Sequence, residues 1–232
     1  MQNFDTKLDN SSQNTAIRVK ICGITRDEDG EAIARMGASA LGFICVPSSP
    51  RYVGVGQIRQ MVDRLRSLRV GAIGVFANVG TEPIGNVVRE AGLTGVQLHG
   101  DETPEFCDRL RAELADGIEI IKAFRIKSEA DLERTRLYRD RVDTFLLDAY
   151  HPGQLGGTGR QLDWTLLDGF DPGVPWLLAG GLNPDNVLTA IARVRPTGID
   201  LSSGVERSPG IKDLAKVARL FEQLGARGQQ RP

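Results

Sequence analysis

No stretch of the 232-residue chain approaches the ~20 consecutive apolar residues that a membrane-crossing helix needs. Cysteines number three, with no CxxC spacing, so the chain has no disulfide framework and reads as cytoplasmic with reduced thiols. Histidines number two, and no His/Cys/Asp spacing supplies the three or four ligands of a zinc site, so no metal is expected. An excess of charge of one sign is missing too: 29 Lys and Arg against 30 Asp and Glu leave a net charge of −1. With no basic patch interleaved with aromatics, nucleic acid is excluded as the main partner. The first 16 residues, "MQNFDTKLDNSSQNTA", lack the apolar centre of a secretory signal and read as a flexible tail, as do residues 227–232.

The remainder has the makings of a core, with 41% hydrophobic and 25% charged residues. Eight short apolar runs recur: "IRVKIC", "ALGFICV", "RVGAIGVF", "GVQLH", "EIIKAF", "TFLLDA", "PWLLAG" and "GIDLS". Each has strand length and is rich in Val, Ile, Leu and Phe. Amphipathic stretches lie between them, among them "IRQMVDRLRSL", "TPEFCDRLRAELA", "NPDNVLTAIARV" and "IKDLAKVARLFEQL". Eight strands alternating with helices predict one parallel α/β domain over residues 17–226. A (β/α)8 barrel fits the count and the length better than an open doubly wound sheet, which wants a GxGxxG after its first strand. Here "CGITRDEDG" follows instead.

In such a barrel the active site lies at the C-terminal ends of the strands. The residues expected there are Cys22 (strand one), Arg51 (after strand two), Gln97 and His99 (strand four), Asp148 (strand six) and Asp200 (strand eight). Three glycine-rich turns follow strands six to eight: "GGTG" with Gly157, "AGGLNPDN" with Gly180 and Gly181, and "DLSSGVE" with Ser202, Ser203 and Gly204. Three such loops together predict a phosphate site built from backbone N–H groups, aided by a short helix beginning at "SSGVE". Asp148 ends an apolar strand as either a loop-capping carboxylate or a general acid, since burial favours a carboxyl's neutral form. Cys22 is either a small core residue or a reactive thiol. Cys107 reads as packing, Cys45 as a residue that lines the pocket without reacting, and His151 as a surface residue. His99 is either a ligand contact or structural, and Arg51 either a salt bridge or a carboxylate binder.

In order along the chain, "VKICGIT", "GFICVPSSPRYV", "GVFAN", "VQLHGDE", "FLLDAYHPGQLGGTGRQLDW", "LLAGGLNPDNV" and "GIDLSSGVERSPGIKD" resemble the motifs of the phosphoribosylanthranilate isomerase family of tryptophan biosynthesis. The resemblance runs from about Arg18 to Phe221. It implies a cofactor-free Amadori rearrangement of N-(5-phosphoribosyl)anthranilate to 1-(2-carboxyphenylamino)-1-deoxyribulose 5-phosphate, by a monomer or homodimer. It makes Cys22 the general base and Asp148 the general acid, and puts Arg51, Gln97, His99 and Asp200 against the substrate. The pattern departs from the family at Cys45–Val46, where an aromatic is usual, on the anthranilate side of the pocket. Two other readings stand beside it. The isomerase of histidine biosynthesis performs the same rearrangement with an aspartate in place of Cys22, and a non-catalytic phosphate-binding barrel would have lost Cys22 or Asp148. A lyase of the indole-glycerol-phosphate synthase kind would want catalytic lysines, for which Lys122 is the candidate.

Overall fold

The computed structural model describes residues 17–149 and 163–229. Eight parallel strands form the barrel wall: β1 (Arg18–Cys22), β2 (Ala40–Ile44), β3 (Gly71–Phe76), β4 (Gly95–Leu98), β5 (Glu119–Ile126), β6 (Thr144–Ala149), β7 (Trp176–Leu178) and β8 (Gly198–Leu201). β8 pairs back onto β1, with Lys20 in register with Asp200, so the sheet is closed and the open-sheet alternative is excluded.

Both faces of these strands are buried, and alternation sorts their side chains. In β1, Val19 and Ile21 pack outward into the shell shared with the helices, while Arg18, Lys20 and Cys22 point inward. A small inner core of Ala40, Ile73, Ile121, Ala123, Leu146 and Leu177 fills the middle of the barrel. Its N-terminal end is plugged by an ion pair between strands on opposite sides: Arg18 Nη2 donates to Glu119 Oε2 at 2.7 Å, and Thr144 Oγ1 donates to Glu119 Oε1 at 2.7 Å.

The outer helices are α1 (Asp27–Arg35), α2 (Val55–Leu65), α3 (Thr81–Ala91), α4 (Pro104–Glu113), α5 (Glu129–Thr135), α6 (Val187–Val194) and α7 (Leu214–Gln229). α2 buries Ile58, Met61, Val62 and Leu65, a three-and-four spacing that presents one apolar face to the strands. α4 starts where its sequence says it should: Thr103 Oγ1 accepts from Phe106 N at 3.2 Å, with Pro104 in the first turn.

One stretch differs from its helical pattern. Ile211–Lys212 is a strand, β10, antiparallel to β9 (Glu206–Ser208). The helix starts only at Leu214 because the Asp213 carboxylate accepts from the N–H groups of Ala215 and Lys216 at 3.1 and 3.3 Å, an N-cap that ends the preceding strand. At its far end α7 continues to Gln229, beyond the domain limit of 226 expected from sequence. No helix among the described residues is long and apolar enough to cross a membrane.

Candidate active site

Cys22 is the last residue of β1, and its thiol lies at the C-terminal mouth over Gly42 of β2, where any Cβ would stand 2.6 Å from Sγ. Gly23 follows in left-handed backbone (φ +78°), and a Cβ there would also run into Arg51 Cδ at 2.7 Å. The room beside Gly23 is therefore filled by the Arg51 side chain.

Arg51 is held. Its Nε donates to Glu206 Oε1 at 2.9 Å and its Nη2 to Glu206 Oε2 at 2.7 Å. Glu206 also takes Lys212 Nζ at 2.8 Å, and that ammonium in turn donates to the carbonyls of Cys22 (2.6 Å) and Ser202 (3.4 Å). Burial would push the Glu206 carboxyl up, but its bonds to Arg51 and Lys212 hold it below the usual carboxylate range. Burial pulls Lys212 down despite Glu206. Sequence reasoning singled out neither Glu206 nor Lys212, because only the β9–β10 hairpin carries them back beneath β1.

On the inner face, Lys20 is fully buried and donates to Asp200 Oδ1 at 2.8 Å. Burial lowers the Lys20 pKa, but the charges of Asp200 and Cys22 outweigh it and leave it raised. Burial pushes the Cys22 thiol up, and Lys20 and Lys212 pull against that rise. Lys20 was also missed. Its signal was legible: a lysine two residues before Cys22 in a buried strand shares the thiol's face.

Across the mouth, Gln97 Nε2 lies 2.8 Å from His99 Nδ1, and His99 Nε2 lies 3.5 Å from Asp148 Oδ2. β5 separates the strands carrying His99 and Asp148, so the two side chains meet on the inner side of the mouth. With the Gln97 amide donating to Nδ1, the His99 proton sits on Nε2, the ring nitrogen nearer Asp148. Gln97 Oε1 and His99 Nε2 are buried without a hydrogen-bond partner among the described residues.

The loops after β7 and β8 meet. Gly180 and Gly181 follow β7, and Ser203–Val205 forms a single 3-10 turn after β8. Gly204 packs so closely on the β7 loop that a Cβ would stand 1.9 Å from the Leu182 carbonyl oxygen. Ser202, Ser203, Gly180 and Gly181 are thus neighbours at the mouth. Gly157 and His151 lie outside the described residues.

The other cysteines pack. Cys45 donates weakly to the Phe43 carbonyl (3.7 Å), and burial pushes its thiol up to about 12; burial pushes that of Cys107 up to about 11. Lys122 points away from the barrel interior, donating to Glu102 Oε2 at 3.0 Å and to the Gly100 carbonyl at 2.8 Å. It braces the loop after His99, and the lyase reading loses its lysine. No group of three or more His, Cys, Asp or Glu among the described residues could hold a metal ion.

The profile of the N-(5'-phosphoribosyl)anthranilate (PRA) isomerase family matches residues 19–223. The chain belongs to the phosphoribosylanthranilate isomerase family. A family member from Trichormus variabilis is 60% identical over 211 residues, covering 91% of this chain and all of that one. The crystal structure of phosphoribosyl anthranilate isomerase from Thermotoga maritima superposes with a TM-score of 0.82 at 37% identity, covering 90% of this chain and 99% of that one. A second isomerase structure of the family has a TM-score of 0.77 at 37% identity, with the same coverage of each chain. It is a complex with reduced 1-(o-carboxyphenylamino)-1-deoxyribulose 5-phosphate.

Proposed function

We infer that this phosphoribosylanthranilate isomerase family member converts N-(5'-phosphoribosyl)anthranilate to 1-(2-carboxyphenylamino)-1-deoxyribulose 5-phosphate, with Asp148 as general acid and Cys22 as general base. The observation that carries the assignment is a buried thiol on β1 and a buried carboxyl on β6 at one barrel mouth, three strands apart through β8 and β7. Asp148 protonates the ribose ring oxygen, the C1'–O bond breaks, and the nitrogen lone pair forms an iminium. The Cys22 thiolate takes the C2' proton. The C–H electron pair becomes the C1'–C2' double bond while the iminium electrons return to nitrogen, and the enolamine tautomerises to the ketone. A retained thiol at Cys22 also favours this substrate over that of the histidine-pathway isomerase.

The remaining groups suit binding. Gln97 Oε1, which has no hydrogen-bond partner among the described residues, takes a substrate hydroxyl, and His99 Nε2, 3.5 Å from Asp148 Oδ2, orients that carboxyl. The Arg51 bonds to Glu206 use Nε and Nη2, so the edge bearing Nη1 is the one that turns to the anthranilate carboxylate. Asp200, at the mouth beside Lys20, takes a sugar hydroxyl. Gly157, Gly180, Gly181, Ser202, Ser203 and Gly204 cradle the phosphate through backbone N–H groups and serine hydroxyls.

The direct test is turnover of phosphoribosylanthranilate, read as loss of anthranilate fluorescence; no turnover by the folded wild-type chain would favour a binding barrel instead. Glu206→Gln tests the arginine's role. With its anchor neutralised, Arg51 is expected to lose register and KM to rise about tenfold, while kcat holds within about threefold. Steady-state kinetics separate the two, and an unchanged KM would remove Arg51 from substrate binding.

A further inference from the structure

The thiol proposed as base is in a place that disfavours a thiolate. Cys22 is buried, and burial penalises the charged form of a thiol. Something must carry the compensating positive charge. The charged groups around the thiol are Lys20 on its own strand, Asp200 on β8, Lys212 on β10 and Arg51 after β2, the last two tied to Glu206.

These cations are not equivalent. Lys212 has its ammonium committed to three oxygens, the Cys22 and Ser202 carbonyls and Glu206, and it sits on the backbone side of β1. Arg51 is clamped by Glu206. Lys20 differs on both counts. It is fully buried inside the barrel, and residues two apart on a strand share a face, so its ammonium rises on the side where Sγ lies. It spends one N–H on Asp200 Oδ1 at 2.8 Å and can turn the others toward sulfur.

We propose that Lys20 is the positioning residue that poises Cys22, a buried ammonium shared between Asp200 and the thiol that stabilises the thiolate before proton abstraction. Asp200 then has two parts to play. It keeps the buried Lys20 charged, and it draws part of that positive charge away from the sulfur. The proposal rests on Cys22 being the base. Across the step, the substrate's C2' proton moves to Sγ, the thiolate becomes a thiol, and Lys20 keeps its proton throughout.

The test reads the thiol directly, without substrate. Thiolate absorbance in the ultraviolet is followed against pH, and the titration of the same chain carrying Cys22→Ala is subtracted to remove the contributions of Cys45 and Cys107. Lys20→Met is expected to move the Cys22 titration to alkaline pH by about one unit or more, meaning about tenfold less thiolate at a given pH. The thiolate-dependent limb of kcat/KM should shift by the same amount. Asp200→Asn should move the titration the opposite way.

The double variant Lys20→Met/Asp200→Asn decides between direct and indirect action. A titration still alkaline of wild type supports Lys20 acting on the sulfur. One that matches wild type or lies acid of it overturns the proposal and leaves Lys20 as a mere partner for Asp200. If Lys20→Met alone does not fold, because Asp200 is left buried and unpaired, the double variant carries the same test with neither charge present. Failure of the base assignment looks different: Cys22→Ala would then turn over normally, while the thiol titrations still shift.

Discussion

Asp148→Asn is expected to reduce kcat by about 10²–10⁴-fold with KM little changed, the loss typical of removing a positioned general acid. The amide keeps the shape of the carboxyl and its approach to His99 Nε2, now 3.5 Å from Oδ2, so the fold should be intact by circular dichroism. What disappears is a proton that can be given to the ring oxygen. Cys22→Ser should lose a comparable amount for the complementary reason. A serine hydroxyl sits in the same buried place with a far weaker tendency to ionise, and Lys20 cannot offset that. Initial rates on phosphoribosylanthranilate read both effects. A folded Cys22→Ser enzyme with full kcat would remove the thiol from the reaction, and a folded Asp148→Asn enzyme with full kcat would assign the acid elsewhere.

Gly204→Ala is expected to strike binding as hard as those changes strike chemistry. The new methyl would stand 1.9 Å from the Leu182 carbonyl oxygen and 2.9 Å from its carbon, both backbone atoms that no rotamer change can move aside. The loops after β7 and β8 must therefore separate, at a cost of about 1–3 kcal/mol in stability or somewhat more. They carry the groups proposed to hold the phosphate. Losing one or two of those hydrogen bonds raises KM by about ten- to a hundredfold, with a smaller effect on kcat. Gly56→Ala is the control: it lies in α2 with nothing within 4 Å of its added Cβ, and a helical alanine should gain about 0.5–1 kcal/mol with unchanged kinetics. Equal KM values for the Gly204 variant and wild type would move the phosphate site away from this pair of loops.

Much of the candidate site was legible along the chain because a parallel barrel imposes a simple rule. Reactive groups at strand ends converge on one mouth, so Cys22, Gln97, His99, Asp148 and Asp200 could be picked out by position. The supporting charges could not all be found this way. Lys20 was readable, since alternation puts it on the face of Cys22. Glu206 and Lys212 were not. "IKDLAKVARLFEQL" has helical spacing throughout, and nothing in it says that Ile211–Lys212 will instead fold back against β9 and deliver an ammonium to the Cys22 carbonyl. Arg51 shows the same limit: its position after strand two was clear, but its two bonds to Glu206 link residues 155 positions apart.

The sequence alone determined the eight strand-length apolar runs, the amphipathic stretches between them and the polar residues at the strand ends, because the period of the apolar pattern and the strand length are local properties. Position left Cys22 and Asp148 open between structural and chemical roles, and the resemblance to the isomerase family made them candidate base and acid. Only the tertiary structure decided that β8 closes onto β1, which brings Asp200 to Lys20, and that the β9–β10 hairpin sets Glu206 and Lys212 beneath the thiol. Those pairings depend on how distant segments share one buried, low-dielectric space. There the energy of each charge depends on which partner stands about 3 Å away, whatever its place in the chain.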